Sequence, residues 1–213
     1  MKRVLNKNRL FYFISIILVV IVLLIIGIKF VKDFIIKDNK DIITKNNLDT
    51  LELYGYTLDD MDSKLYKEYF NELKSVLNSG VINYEEYAKD IVKLFVTDFY
   101  TLDTKLTSSD IGGIEFIPSD MVDNFKMNAG DTMYNHVKTN IYGDREQDLP
   151  IVKNVSIDSA SEINYTYKEK EYSAYKVKAS WEYEKDMGYD KEGEYVLIKD
   201  NNKLYIVSNV SGE

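Results

Sequence analysis

Cysteine is absent from this 213-residue chain, and histidine, tryptophan and proline are nearly so, with one, one and two residues. Without cysteine there is no disulfide, thiolate metal site, cysteine nucleophile or lipid-modified cysteine. A lone histidine, His136, cannot assemble a metal site built from several imidazoles. Phosphate-cradling glycine patterns are missing too. Gly112-Gly113 fits neither G-x-x-x-x-G-K-[ST] nor G-x-G-x-x-G, and the pair is expected to form a flexible turn. No D-x-D-x-D-G…E calcium loop occurs, and neither does an internal repeat or a low-complexity segment. What remains is globular material: 45% hydrophobic and 29% charged residues argue against global disorder.

Charge is distributed unevenly. Residues 1–9 carry Lys2, Arg3, Lys7 and Arg9 without an acid, and residues 10–28 carry no charge. The rest holds 23 of the 27 basic side chains and all 35 acidic ones. Such an acidic region repels phosphate backbones, so nucleic acid is not an expected partner.

Leu10–Ile28 is the strongest signal in the chain, an uncharged run reading LFYFISIILVVIVLLIIGI. At about 1.5 Å per residue it matches the roughly 30 Å core of a bilayer. A cleaved signal peptide is the alternative. Its apolar region is usually shorter and ends in small residues, whereas this run leads into Lys29-Phe30-Val31-Lys32. The reading is a retained single-pass anchor over 10–31, a cytoplasmic tail over 1–9, a juxtamembrane stalk over 32–56 and an extracytoplasmic domain over 57–213. Lys29, Lys32, Lys37 and Lys40 nearly balance the basic tail. The acid-free tail with its terminal amine favours an N-terminus inside the cell membrane and a C-terminal domain outside.

The soluble part begins with helical periodicity. Met61, Leu65, Tyr69, Phe70, Leu73, Val76 and Leu77 lie on one face of a helix expected over Asp59–Leu77, with Gly80 available as a left-handed cap. Asn83 and Glu86 form a capping-box pattern ahead of a second helix, whose stripe is Tyr84, Tyr87, Ala88, Ile91, Leu94, Phe95 and Phe99. Residues 103–118 read as a loop holding a short strand at Ile114–Ile117. Pro118 and Ser119 open a third helix expected to reach Asn140, on a stripe of Val122, Phe125, Ala129, Met133 and Val137. It runs through Gly130, where a break is the alternative.

After Gly143 the period changes to two. Five strands are expected: one around Ile151–Ile157, one around Ile163–Tyr167, one over Tyr175–Tyr183, and a final pair, Glu194–Lys199 and Lys203–Val210, joined at Asp200-Asn201-Asn202. Tyr175, Val177, Ala179, Trp181 and Tyr183 should face a core, with Lys176, Lys178, Ser180, Glu182 and Glu184 opposite. Helices first and strands after, without alternation, predict an α+β fold with helices packed on a curved antiparallel meander.

This layout, closing in EYVLIKDNNKLYIVSNV over Glu194–Val210, resembles the NTF2-like (cystatin-like) superfamily. Within it, bitopic VirB8-type components of bacterial conjugation and type IV secretion share the anchor-then-domain order. The resemblance covers about residues 57–210 by element order and carries over no functional residue. That fold hosts enzymes, binding modules and scaffolds, so it does not settle function; the leading expectation is a non-enzymatic, membrane-anchored scaffold or interaction protein of a bacterial cell envelope, in contact with the lipid bilayer and other envelope proteins.

Individual residues offer few sites. His136 falls near the third helix's apolar stripe and reads as a core or boundary histidine with a hydrogen-bond partner, ahead of a general base or pH sensor. Asp59, Asp60 and Asp62 read as favourable partners of a helix N-terminus, not as a cation site. Tyr165, Tyr167, Tyr172, Tyr175, Tyr183, Tyr195 and Tyr205, with Trp181, read first as strand formers and core filling. The alternative is an aromatic-lined cone between helices and sheet that binds a small molecule or cell-wall fragment. No catalytic, cofactor-binding or metal-ligating residue is assigned.

Overall fold

The computed structural model describes residue 51, residues 53–59 and residues 62–211. The expected tail, the membrane helix, the stalk up to residue 50, and Asp60 lie outside these residues. No helix among the described residues is long and apolar enough to cross a membrane.

Among the described residues the full-length elements are α1 (Lys64–Leu77), α2 (Tyr84–Tyr100) and α3 (Val122–Asp131), followed by β1 (Val152–Tyr167), β2 (Lys170–Tyr183), β3 (Glu192–Asp200) and β4 (Lys203–Ser211). The strands form one antiparallel sheet in the order β1-β2-β3-β4. The α+β meander expected from the sequence is therefore present.

The helix ends follow local chemistry. α1 starts later than Asp59, because the Ser63 hydroxyl accepts from the Tyr66 N–H at 3.1 Å and caps the helix there. At its other end Asn78 is the cap and Gly80 does not take a positive φ. The Asn83 carboxamide accepts from the Glu85 and Glu86 N–H groups at 3.1 and 3.3 Å, as the capping pattern predicts. Glu86 itself turns outward to Lys89 at 2.8 Å.

α2 is the central element. Leu94, Ile91, Phe95 and Tyr87 are fully enclosed between α1 and the sheet. The inner sheet face presents Val177, Ala179, Trp181 and Tyr183 of β2 with Tyr195 and Leu197 of β3. Its outer face carries a charged ladder, Lys176–Glu194 at 2.7 Å and Lys178–Glu192 at 3.2 Å. Leu51, Tyr54 and Tyr56, at the end of the segment read as stalk, are also buried in the core.

Three expectations change. The first two expected strands are one 16-residue strand, β1, with a bulge between Ile157 and Ser159. The extra residue flips the pattern, so Val155 and Ile157 face the helices while Ile163, Tyr165 and Tyr167 face outward. There they pack with Tyr172, Ala174, Val196, Ile198 and Val207 into a second, smaller core. The expected strand at Ile114–Ile117 is a 3₁₀ turn over Ile114–Phe116. The third helix stops at Asp131 instead of reaching Asn140. Thr132 leaves helical geometry, and the chain turns so that the Tyr134 hydroxyl reaches the Phe99 carbonyl at 2.6 Å.

Candidate functional site

The space between α2, α3 and the inner end of the sheet is hollow, with a volume of about 660 Å³. Its floor is apolar: Phe99 from α2, Phe125 from α3, and Ile117 and Met121 ahead of α3 form it, with the buried Phe95 and Ile206 beneath. The rings interlock, with centroids of Phe95–Phe99 and Phe99–Phe125 both 5.3 Å apart. Asn124, Asn128 and Thr132 supply uncharged hydrogen-bonding groups from the α3 side, and Ser208 and Asn209 supply them from β4. Asp190, in the β2–β3 connection, is the one charged residue of the lining.

α3 stands off the sheet because it is short and only Ala129 of it is buried. The turn after Asp131 then pins its far end through Tyr134, whose hydroxyl also accepts from the Gly112 N–H at 3.1 Å. Near the Asp190 end the wall is a stack of rings. Tyr100 lies 4.5 Å from Trp181, centroid to centroid. The Trp181 indole N–H donates to the Tyr183 hydroxyl at 3.0 Å, and that hydroxyl donates to the Asp190 carbonyl at 3.0 Å. Behind Tyr100, the Tyr195 hydroxyl is buried beside the Tyr100 side chain. Burial, reinforced by the neighbouring Tyr100, pushes its pKa well above the usual phenol value.

A second, polar depression lies where the loop after α2 meets α1. Asp59, Asp62, Asp98, Asp110 and Lys105 line it, and Glu115 adjoins. The carboxylates of Asp62, Asp98, Asp110 and Glu115 are occupied as structural acceptors. Asp98 takes Lys105 at 2.5 Å and the Gly113 N–H at 2.6 Å. Asp62 takes the Asp59 N–H at 2.6 Å, and Asp110 takes the Leu106 N–H at 3.0 Å. Glu115 takes the Tyr66 hydroxyl at 2.7 Å and the Thr57 N–H at 3.0 Å. Burial raises the pKa of Asp62 and of Glu115. Among the described residues no group of acids and histidines converges as a metal site.

The sequence candidates scatter. Asp59 and Asp62 precede the first turn of α1 instead of lying in it. His136 is exposed in the turn after α3, not on a core face; its carbonyl accepts from Gln147 at 2.8 Å. Gly112-Gly113 is no flexible turn. Both residues are buried, and a Cβ on Gly112 would lie 2.4 Å from the Asp98 carbonyl oxygen. Gly113 has φ +74°, and a Cβ on it would meet the Phe95 ring at 2.6 Å. Of the strand aromatics, Trp181, Tyr183 and Tyr195 stand behind the cleft wall, whereas Tyr165, Tyr167 and Tyr172 serve the outer core. The cleft itself is lined by phenylalanines of α2 and α3 that pattern reading assigns to solid core. Only α3's polar face, Asn124, Asn128 and Thr132 at steps of four, marks it in the sequence.

Comparison of the chain with protein-family models, curated proteins and solved structures finds no match.

Proposed function

We propose that this chain is an anchored extracytoplasmic binding module of a bacterial envelope, with an NTF2-like arrangement of helices over a curved meander. Its cleft takes a ligand that presents an apolar group. The carrying observation is the hollow itself: about 660 Å³ with a phenylalanine floor and an uncharged polar rim. That size and lining fit small-ligand sites generally, and a solid interior would have left no room. We rank this reading above a pure scaffold because the cleft is a defined concave apolar site, whereas the outer sheet face carries two cross-strand ion pairs beside an apolar cluster packed on itself.

The lone tryptophan supplies the test. Trp181 contacts Tyr100, which lines the cleft. With the full chain in lipid nanodiscs, 1-bromonaphthalene should quench Trp181 fluorescence saturably. Asn128→Phe, which fills the cleft from its exposed rim, should abolish the quenching. Non-saturable quenching, or quenching indifferent to Asn128→Phe, refutes the reading.

A further inference from the structure

The floor accounts for an apolar group, and one residue of the lining adds a charge. Asp190 stands there, exposed, in the connection from β2 to β3. Its backbone is held, because the Tyr183 hydroxyl donates to its carbonyl at 3.0 Å. Its carboxylate lies near the ring wall: burial raises the pKa of Tyr183 and of Tyr195, and the Asp190 charge adds to both. The acid is therefore fixed beside the aromatic side of the cleft. That side is continuous with the floor, since Phe99 and Tyr100 lie 4.9 Å apart and Tyr100 and Trp181 4.5 Å apart, centroid to centroid.

The charge is not neutralised from within. No basic side chain lines the cleft. The lysines flanking Asp190 in sequence are engaged elsewhere, Lys191 with Asp186 at 2.6 Å and Lys185 with Asp148. Beside Asp190 the half-buried Tyr189 also lines the cleft, its ring 6.2 Å from that of Tyr183. Tyrosine faces attract cations, and this chain seats its own ammonium groups on them: Lys199 Nζ lies 3.9 Å from the centre of the Tyr84 ring, and Lys203 Nζ 4.4 Å from that of Tyr56. In the cleft the same pair of attractions, ring and acid, is offered without an internal cation. The amides and hydroxyls of Asn124, Asn128, Thr132 and Ser208 serve either sign of charge, so Asp190 decides it. The acidic balance of the chain, 35 acidic against 27 basic side chains, acts in the same direction.

We propose that the ligand is a small organic ammonium ion whose apolar body rests on the Phe99–Phe125 floor and whose charged nitrogen lies at Asp190 and Tyr189. The inference rests on the cleft being a binding site and adds the sign of the charge that it selects. Water screens the exposed carboxylate, so the preference over an uncharged analogue is moderate, about fivefold.

Three probes of one skeleton test it: 4-phenylbutylammonium, 4-phenylbutan-1-ol and 4-phenylbutanoate, each competing with 1-bromonaphthalene for the full chain in nanodiscs of zwitterionic lipid at pH 7. Recovery of Trp181 fluorescence reports displacement. The ammonium ion should displace the bromoarene at a concentration about fivefold below that of the alcohol, and the carboxylate should be the weakest competitor. Asp190→Asn should bring the ammonium ion and the alcohol within about twofold of each other. Equal displacement by the ammonium ion and the alcohol, or a preference that survives Asp190→Asn, overturns the ammonium assignment and leaves the apolar binding reading standing. Failure of 1-bromonaphthalene to bind saturably removes both.

Discussion

Single residues show where burial and charge conflict. Asp90 is buried on α2, with Lys93 at 3.5 Å. Its pKa rises from the ordinary 3.8 to about 6, because burial disfavours the charge more than Lys93 favours it. A carboxyl raised in the folded state contributes most stability below its unfolded pKa, and that contribution is lost as pH rises through the folded value. Ionised Asp90 therefore costs about 2–3 kcal/mol above pH 6. Asp90→Asn should raise stability at neutral pH by an amount of this order and flatten the fall between about pH 4 and 6, read by urea unfolding across pH. A variant less stable than the parent at pH 7 refutes the assignment. Gly112 is the opposite case, a residue whose value lies in what it lacks. A methyl there would sit 2.4 Å from the Asp98 carbonyl oxygen, which is backbone and cannot swing away. Gly112→Ala should cost about 3 kcal/mol or more, where a flexible surface turn would lose almost nothing.

At the scale of elements, helices were easier to read than strands, for reasons visible in the residues. Asn83 announces α2 because its side chain bonds within three residues, and local chemistry is written locally. The end of α3 depends on Tyr134 reaching across to Phe99, a contact invisible to periodicity. The β1–β2 hairpin hid for a related reason. Its turn is Lys168-Glu169, with φ of +51° and +62° and no glycine or asparagine to mark it. The bulge at Asp158 then made one strand look like two. A two-residue turn with both φ positive favours glycine, and a side chain there costs roughly 1–2 kcal/mol. Glu169→Gly should therefore stabilise the domain by about 1 kcal/mol, seen as a higher denaturation midpoint at constant slope. It leaves intact the Lys168–Asp120 pair at 2.5 Å and the Tyr167–Asp120 hydrogen bond at 2.7 Å that tie the hairpin tip to the start of α3.

Across the whole molecule, the folded unit starts before the position that composition suggests. The change from polar spacer to periodic helix pointed to residue 57. Tyr54 ends a helical stretch and Tyr56 follows in the short connection to α1, so neither belongs to a stripe that periodicity marks. Yet Tyr56 is 3% exposed, stacks its ring near Phe116 at 5.6 Å between centroids, and shares its hydroxyl with Tyr87 and the Leu204 carbonyl. Lys203 lies over its ring at 4.4 Å. The segment leading in from the expected anchor is thus clasped between α2 and β4, at the same edge whose continuation lines the cleft. Truncating a buried aromatic ring costs about 3–5 kcal/mol, and the hydroxyls of Tyr87 and Leu204's carbonyl would lose a partner in addition. A chain beginning at residue 57 should accordingly be less stable than one beginning at residue 50 by at least that amount, a large part of a typical domain's total. Comparison of the two by thermal unfolding decides it. Equal midpoints would mean that Tyr54 and Tyr56 merely rest on the domain, and that the β4 edge does not depend on them for closure.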